Sequence, residues 1–442
     1  MKTIFISSFH VLISRNILAA PFLDLLLTEG WRVVLLVPQE KQIFFTAEFS
    51  RPGVVIQWVS PPPTRREVLL RYLSLAALDT RTLSIKRKTE LKGRGEWLVR
   101  IIGNRRVAHA VLRWLDRRIA SREPFAALIR DYRPDCVLAT DVGHEYDTRL
   151  IHASSDAGVL VVGMVRSWDN LTSKGLIRAV PDLLLVNNEI VKSEAMKLHG
   201  VPESRIRVFG IPHYDRYPEP AHPRGEFCRR LGLNPAKRFL VYAPTGDRYL
   251  AKNRVDQEVI RIIVAALPPG HELLVRLPPS DSVAIETEAM PSGVIAHRPG
   301  EHLSSQSGVF KSNELTRDDD DLLRDTLAYC ELVVVGPSTI VIDAAVFDKP
   351  IILVGFDGAS SPPYYESIRR YWDYDHFQSV LRSDGVRLAR NKEELAEWIQ
   401  RYLSDSSLDR EGRKRITREQ GFQLDGQSSR RLVAALKETL KS

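Results

Sequence analysis

Short apolar runs of strand length alternate with helical patterns along most of the chain, and this alternation limits the fold to the α/β class. The first runs are KTIFISS (2–8), WRVVLLVP (31–38) and GVVIQWVS (53–60), and a helix-like stretch at 14–30 separates the first two. Continuously apolar strands between amphipathic helices are typical of a parallel sheet that is covered on both faces. The first half of the chain is therefore predicted to form a doubly wound sheet.

The same alternation continues and then starts again in the second half. Further strand-like runs lie at 135–141, 158–165, 183–188, 238–245, 271–278, 294–299, 331–337 and 350–356. Prolines gather at 205–225 and the periodicity stops there, which indicates a linker. A chain of 442 residues also exceeds what one core usually supports. We therefore predict two Rossmann-like doubly wound domains facing a central cleft.

The predicted domain limits follow from that linker. The N-terminal domain spans 1–215 and includes a basic helical segment at 65–130, and the C-terminal domain spans 216–425. A last helix at 426–442 is expected to cross back onto the first domain.

Composition and charge narrow the class of protein. The three cysteines, at 136, 228 and 330, are widely spaced and adjoin apolar segments, so we expect reduced thiols and no metal cluster. No signal peptide or stretch of about 20 apolar residues is evident, which predicts a cytoplasmic location. The net charge of +8 comes from one segment, because residues 65–130 carry 17 Lys and Arg against 6 Asp and Glu.

The segment MVRSWDNLTSKG (164–175) places many polar side chains directly after an apolar strand. In open parallel sheets, ligands bind beyond the carboxyl ends of the strands. Trp168 is suited to stacking on a ring, Asp169 and Asn170 to binding hydroxyls, and Lys174 to binding an anion. The alternative is a capped loop in which Asp169 or Asn170 is a helix N-cap.

Two other strand ends of the first domain carry a possible general base. His10 follows the first strand and Asp141 follows the fourth. A histidine oriented by a carboxylate is a competent base near neutral pH. The alternative is a histidine satisfied within its loop and an aspartate that caps a helix.

In the second half, the segment 333–356 combines a strand, a Gly-Pro turn, a helix and another strand. Ser338 and Thr339 stand at the helix start, where hydroxyls and free N–H groups suit a phosphate, and Asp343 lies further along the helix. The alternative is that Ser338 is an ordinary N-cap. Strand ends elsewhere in this half offer further donor-binding candidates: Thr245, Gly246, Lys252 and Arg276.

These residues resemble a known family. FISSFHVLISRNIL (5–18), MVRSWDNLTSKG, the hinge VFGIPHYD (208–215) and the pattern from Ser338 to Pro350 are similar to those of two-Rossmann-domain (GT-B) glycosyltransferases. The similarity is to the bacterial surface-polysaccharide branch, which is related to CDP-glycerol glycerophosphotransferases and nucleotide-sugar 2-epimerases. Asp343 stands where relatives commonly have Glu, and Asp348 stands where Gly usually precedes Lys-Pro.

The resemblance implies a nucleotide-linked donor held by the C-terminal domain, with Ser338 and Thr339 near the diphosphate and Asp343 near the ribose or sugar. The acceptor would lie against the N-terminal domain, and neither a metal nor another cofactor is expected. The three catalytic candidates are therefore His10, Asp141 and Asp169. The acceptor-binding candidates are Arg15, Trp168, Asn170 and Lys174.

The predicted function is transfer of a sugar from a nucleotide sugar to a surface glycan or lipid-linked acceptor. The strand end VRLPP (275–279) lacks the His-Pro typical of glycerophosphotransferases, so transfer of a polyol phosphate from a CDP-linked donor ranks second. A nucleotide-sugar epimerase ranks third.

The basic segment indicates where in the cell the protein would bind its acceptor. It mixes Arg, Trp and Leu as an interfacial helix does, which favours peripheral contact with an anionic membrane at its inner face. The alternative is an ordinary solvated basic face. Its few aromatic residues are spread along predicted helices, so nucleic-acid binding is not expected.

Overall fold

The computed structural model contains two parallel β-sheets with helices packed on their faces. It describes residues 1–60, 62–90, 93, 95–247, 255–279, 281–283, 285, 290–302 and 313–441. The first sheet has seven strands in the order β3-β2-β1-β4-β5-β6-β7, all of them parallel. They are β1 (Thr3–Ser7), β2 (Arg32–Val37), β3 (Val54–Trp58), β4 (Cys136–Ala139), β5 (Leu160–Met164), β6 (Leu183–Val186) and β7 (Ile206–Val208).

The second half contains a six-stranded sheet and a short two-stranded ribbon. Its strands are β8 (Arg238–Ala243), β9 (His271–Arg276), β10 (Val294–His297), β11 (Glu301–His302), β12 (Asn313–Glu314), β13 (Val333–Val335), β14 (Ile351–Val354) and β15 (Arg387–Ala389). The sheet is parallel in the order β10-β9-β8-β13-β14-β15, while β11 and β12 pair antiparallel. The two doubly wound sheets predicted from the alternation are confirmed.

Eleven α-helices of the described chain accompany the first sheet. They are α1 (Val11–Ile13), α2 (Pro21–Thr28), α3 (Gln42–Phe49), α4 (Arg65–Ala76), α5 (Arg81–Glu90), α6 (Glu96–Ile102), α7 (Arg106–Ile119), α8 (Phe125–Tyr132), α9 (Glu145–Asp156), α10 (Asn170–Ser173) and α11 (Glu189–Lys197). The central strands between them are almost fully buried, which explains their continuously apolar sequences.

The remaining described α-helices belong to the second half. They are α12 (Arg224–Leu231), α13 (Val255–Ala266), α14 (Arg317–Tyr329), α15 (Ile340–Val346), α16 (Arg369–Trp372), α17 (Asp375–Leu381), α18 (Lys392–Ser404), α19 (Arg410–Gln420) and α20 (Ser428–Thr439). The run RDDDD opens α14, where Thr316 and Asp319 form a capping box, as expected of acidic residues at a helix N-terminus.

The last helix, α20, packs on the first sheet although it ends the chain. Leu432 and Leu436 are fully buried in the same core as Ile4 and Phe22. Asp215, in the segment that follows β7, accepts hydrogen bonds from the Ser428 and Ser429 amides at 2.8 and 2.7 Å. The helix start is therefore fixed by the segment that links the two sheets.

None of the single helices among the described residues is long and apolar enough to cross a bilayer. One bent pair, Val11–Leu18 with Pro21–Thr28, passes on length and composition alone.

A buried ion pair joins α4 to α9. The Glu67 carboxylate accepts hydrogen bonds from Arg149 at 2.8 and 2.5 Å, from the Thr64 amide at 2.7 Å and from the Ser121 amide at 3.0 Å. Burial alone would raise the pKa of Glu67, but these donors lower it from 4.5 to about 2. The pair therefore stabilises the fold above pH 4.5, and that contribution is lost as the pH falls toward 2.

We expect Arg149→Met to lower the free energy of unfolding by about 3–5 kcal/mol, because it leaves Glu67 charged and buried without its partner. Urea unfolding at pH 7 and pH 4 measures the effect, and the loss should shrink at the lower pH. The control is Arg117→Met, which removes an exposed pair with Asp156 and should cost less than about 1 kcal/mol. Equal losses in the two variants would contradict this assignment.

Candidate functional site

The candidate residues lie where the strand order of each sheet reverses. In the first sheet, β1 and β4 are neighbours, and His10 and Asp141 follow them. In the second, β8 and β13 are neighbours, and Thr245 and Ser338 follow them. Such reversal points are where open α/β sheets bind ligands.

A cavity of about 510 Å³, which we call the cleft cavity, lies between the two sheets. Residues from both halves line it. Those that matter below are His10, Arg71, Asp141, His144, Arg166, Asp169, Lys174, Ser338, Thr339 and His376. The structure therefore brings together all three predicted catalytic residues and two of the predicted donor-binding residues.

Asp141 forms hydrogen bonds that the sequence did not predict. Its carboxylate accepts hydrogen bonds from Arg166 at 2.7 Å, Asn170 at 3.3 Å and the Gly143 amide at 3.1 Å. Arg166 is within reach because β5 runs beside β4 and ends at the same edge of the sheet. The orientation of His10 by Asp141 stays a prediction.

Neighbouring positive groups keep Asp141 ionised. Burial alone would raise its pKa, but the Arg166 guanidinium, together with His144 and Lys174, lowers it below the usual value. Asp141 is therefore a fixed anion that positions Arg166 and Asn170.

His10 is held by the backbone of the next turn. Its Nδ1 accepts a hydrogen bond from the Leu12 amide at 3.2 Å and caps α1. Because Nδ1 is the acceptor, a neutral His10 carries its proton on Nε2. In this arrangement the ring is a hydrogen-bond donor through Nε2, whereas a base would need that nitrogen unprotonated.

His144 is a cavity residue that the sequence analysis did not single out, although it follows the same strand as Asp141. Its Nδ1 accepts from the Tyr146 amide at 3.3 Å, and its ring stacks on Phe9 at 5.7 Å. Burial and the nearby cations lower its pKa to about 4, even though Asp141 opposes them. His144 is therefore a neutral donor at pH 7, and its strand-end position was the signal available in the sequence.

Among the carboxylates that line the cleft cavity, Asp169 is the one that forms no ion pair with a described residue. It accepts a hydrogen bond from Ser173 at 3.0 Å. Burial alone would raise its pKa, but His376, Lys174 and Arg166 lower it well below the usual value. Asp169 is therefore ionised at neutral pH and partly accessible.

Lys174 lies on the wall of the cleft cavity and is exposed to solvent. Desolvation lowers its pKa to about 8, with Asp169 opposing the shift and Arg166 adding to it. Lys174 is thus mostly a cation at pH 7, which suits an anionic group.

Trp168 and Asn170 are buried, whereas their predicted role in binding the acceptor requires accessible side chains. Trp168 is 7% exposed and packs edge-on against His376 at 4.9 Å and Phe377 at 5.2 Å, so its ring contacts the second half of the chain. Asn170 is also buried and donates to Asp141. Both line or support the interface between the halves, because α17 meets the end of β5 there.

A smaller cavity of about 130 Å³, the arginine cavity, adjoins the cleft cavity through Ser338 and Thr339. Arg276, Arg15 and Asp343 also line it. Arg276 has no hydrogen bond or ion pair with any described residue, and burial, with the Arg15 charge, lowers its pKa to about 10. A half-buried guanidinium without a partner among the described residues fits an anionic ligand.

Arg15, which was predicted to bind the acceptor, lines the arginine cavity beside the predicted donor-binding residues. Its guanidinium is 4.0 Å from Asp320 of the second half. Burial alone would lower its pKa, whereas Asp320 and Asp343 raise it. The π-helical turn Ser14–Leu18 directs this side chain across the cleft, which sequence periodicity does not show.

The amides of Thr245 and Gly246 are engaged by the protein itself, whereas the buried Thr245 hydroxyl has no hydrogen-bond partner in the described chain. Their amides donate to the Asp256 carboxylate at 2.8 and 3.3 Å, so these N–H groups are not free for a phosphate. Gly246 has φ +83°, and a Cβ there would approach the Asp281 carboxylate at 2.7 Å. Lys252, named with them, lies outside the described residues.

Ser338 and Asp343 also show local bonding. The Ser338 hydroxyl accepts a long hydrogen bond of 3.5 Å from the Ile340 amide, and α15 has only seven residues. Asp343 accepts from the Tyr217 hydroxyl at 2.6 Å, which ties it to the segment after β7. Asp343 still lines the arginine cavity, but one carboxylate oxygen is already used.

Asp348, where relatives usually have Gly, adopts the left-handed backbone that favours Gly, with φ +51°. Its carboxylate bonds to Arg410 and Arg413 at 2.8 Å each, which compensates for the unfavourable backbone. Among the described residues, no group of three or more His, Cys, Asp and Glu is placed to hold a metal ion.

Comparison with protein families gives one match that covers more than half of the chain. The model of CDP-glycerol:poly(glycerophosphate) glycerophosphotransferases matches residues 166–438. The chain belongs to this family. It is therefore a transferase, as predicted. A search of curated protein sequences found no significant match.

Solved structures share the fold of this family member at low identity. A putative UDP-N-acetylglucosamine 2-epimerase from Listeria monocytogenes has TM-score 0.57 and 13% identity, with 100% of this chain and 97% of that one covered. The UDP-GlcNAc 2-epimerase from Neisseria meningitidis bound to UDP-GlcNAc has TM-score 0.57 and 9% identity, covering 99% and 100%. The wall teichoic acid polymerase TagF has TM-score 0.52 and 11% identity, covering 100% and 89%. The predicted GT-B arrangement is confirmed.

Proposed function

We propose that the chain transfers a sugar from a nucleotide sugar to a hydroxyl of a surface glycan or lipid-linked acceptor. The observation that carries this proposal is the cleft cavity, where the ionised Asp169 of the first half faces Ser338 and Thr339 of the second. An anionic carboxylate suits both removal of the acceptor proton and a sugar centre that becomes positive as its bond to the diphosphate breaks.

In this proposal Asp169 takes the proton of the acceptor hydroxyl. The acceptor oxygen then forms a bond to the anomeric carbon while the bond from that carbon to the diphosphate oxygen breaks, and the nucleoside diphosphate leaves. His10 and His144 donate hydrogen bonds from Nε2 to the reacting groups, because their Nδ1 atoms accept hydrogen bonds from backbone amides. A single displacement of this kind inverts the anomeric centre.

The donor diphosphate is proposed to lie in the arginine cavity. Arg276 and Arg15 supply two positive charges there, and Ser338 and Thr339 connect this cavity to the reacting group. Because the protein provides this charge, we propose that transfer continues in the presence of EDTA. The predicted domain boundary near residue 215 would then separate an acceptor-binding half from a donor-binding half.

The test is a panel of nucleotide sugars and CDP-glycerol, measured by thermal stabilisation and then by turnover with an acceptor. A ligand at 100 times its Kd adds about 2.7 kcal/mol of stability, which such a scan detects. Stabilisation by a nucleotide sugar alone supports the proposal. Turnover of a UDP-sugar without any acceptor would instead indicate an epimerase.

The second candidate is transfer of a polyol phosphate from a CDP-linked donor. The family match favours it, because the matched model describes CDP-glycerol glycerophosphotransferases. Arg276 ends β9 and is followed by Leu277 and Pro278, so this strand end lacks the His-Pro of those enzymes, which places this candidate second. Release of CMP from CDP-glycerol would reverse the order.

We further propose that the protein meets a lipid-linked acceptor at the inner face of the cytoplasmic membrane. Eight of the eleven exposed large hydrophobic side chains of the described chain lie on α4, α6 and α7. They form what we call the basic apolar surface: Val68, Leu69, Tyr72, Trp97, Ile101, Val107, Val111 and Trp114. Exposed arginines on the same helices, such as Arg100 and Arg118, complement anionic headgroups.

We expect the double variant Trp97→Ser and Trp114→Ser to bind anionic vesicles at least tenfold more weakly than the wild type, because each indole buries apolar surface in the bilayer interface. Co-sedimentation with phosphatidylglycerol-containing vesicles measures this. Tyr365→Ser, an exposed aromatic outside the surface, is the control. Unchanged binding of the double variant, or equal binding to neutral vesicles, would contradict the proposal.

A further inference from the structure

A third cavity lies beside the cleft cavity, and no role has been given to it so far. This side cavity has a volume of about 310 Å³. Trp168 and His376 line both cavities, so these two side chains form part of the wall between them. Helix α11 of the first half forms one wall, and α17 and α19 of the second half form the other.

Two buried polar atoms on opposite walls of the side cavity lack hydrogen-bond partners in the described chain. They are Oε2 of Glu194 on α11 and Nδ1 of His376 on α17. Of the other polar groups that line the cavity, Gln420 donates to Ser379 at 2.8 Å and Arg415 donates to the Ser383 carbonyl at 2.6 Å, while Arg382 and Glu419 are exposed to solvent. Buried polar atoms are normally paired, so two unpaired atoms at one cavity indicate a missing partner.

The unpaired groups are neutral at physiological pH. Burial and the negative charges of Asp375 and Asp169 raise the pKa of Glu194 to about 8. Burial lowers the pKa of His376 to about 4, against the effect of Asp169. A protonated carboxyl both donates and accepts, and a neutral imidazole does the same through its two nitrogens. These groups complement hydroxyls better than they complement a charged ligand.

We propose that the side cavity binds a hydroxyl-bearing unit of the acceptor, a sugar or a polyol, next to the unit that reacts in the cleft cavity. The inference rests on the proposed function, because it takes the acceptor to lie at Asp169. The volume is at the lower end of small-molecule sites, which span about 300–1,000 Å³, and this suits one such unit. Glu194 contacts it from the first half and His376 from the second.

The test compares two substitutions of Glu194 with different chemistry. Glu194→Gln remains neutral and keeps a donor and an acceptor, whereas Glu194→Leu has a similar shape and neither. Glycerol and N-acetylglucosamine serve as probes in saturation-transfer NMR, at up to about 10 mM, ten times a weak Kd of about 1 mM. We expect the wild type and Glu194→Gln to bind at least one probe, and Glu194→Leu to bind it at least fivefold more weakly.

A second variant keeps the inference testable if Glu194→Leu does not fold. Ile190→Trp fills the same cavity from α11 while leaving Glu194 in place, and it should also abolish binding of the probe. Equal binding by the wild type and both apolar variants would overturn the inference, as would no binding at all, which would mean that water alone occupies the cavity. Donor stabilisation without probe binding leaves the proposed function intact, whereas probe binding without any donor binding contradicts that function only.

Discussion

Asp169→Asn is expected to reduce turnover by about a hundredfold, at the lower end of the range of about 10²–10⁴ that a positioned base contributes, because the lowered pKa of Asp169 makes it a weak base. The amide has the shape of the carboxylate and can still accept a hydrogen bond from Ser173, but it cannot take the acceptor proton. Donor binding should change by less than about twofold, because the arginine cavity is not altered. Turnover and donor Kd, measured on the same preparation, separate these two effects.

The pH profile gives an independent readout for Asp169. Its pKa is lowered by His376, Lys174 and Arg166 despite burial, so the carboxylate stays ionised throughout the neutral range. We therefore expect no acid limb from this group above pH 4. Ser173→Ala is the matched control and should lower turnover by much less than Asp169→Asn. Turnover within about tenfold of wild type in Asp169→Asn would assign the base elsewhere.

Arg276→Gln is expected to weaken donor binding by about ten- to a hundredfold, because a hydrogen bond to a charged group contributes about 1.5–3 kcal/mol. The unliganded protein should be no less stable than the wild type, since Arg276 has no hydrogen bond or ion pair with the described residues and its burial is unfavourable. Isothermal titration with the preferred donor and thermal unfolding without ligand measure the two quantities.

The combination is diagnostic for a ligand-binding arginine. A structural arginine would lose stability on substitution and leave donor affinity nearly unchanged. Arg261→Gln, on the exposed surface of α13, is the control and should leave both quantities unchanged. Loss of stability together with full donor affinity in Arg276→Gln would place the donor diphosphate outside the arginine cavity.

The sequence alone predicted the sheets well because buried parallel strands have an unmistakable composition. The run at 31–38 became β2 (Arg32–Val37), and the run at 294–299 became β10 (Val294–His297). Residues at strand ends could be placed at one edge of a sheet for the same reason, and His10, Asp141 and Asp169 do line one cavity. The assignment of catalytic roles to them stays a prediction.

Contacts between side chains from distant segments could not be predicted. Asp141 pairs with Arg166, Trp168 packs on His376 and Phe377, and Arg15 reaches the second half. Each depends on how the two sheets face one another, which periodicity does not encode. The protonated nitrogen of His10 could not be predicted either, because the backbone amide that donates to its Nδ1 is brought close only by the folded turn.

The most direct measurement is the nucleotide product released by purified protein supplied with a donor and an acceptor, compared between the wild type and Asp169→Asn. We predict that a nucleotide sugar yields a nucleoside diphosphate in step with a glycosylated acceptor, and that the variant yields almost none. Release of a nucleoside monophosphate, or equal release by the variant, would contradict sugar transfer with Asp169 as the base.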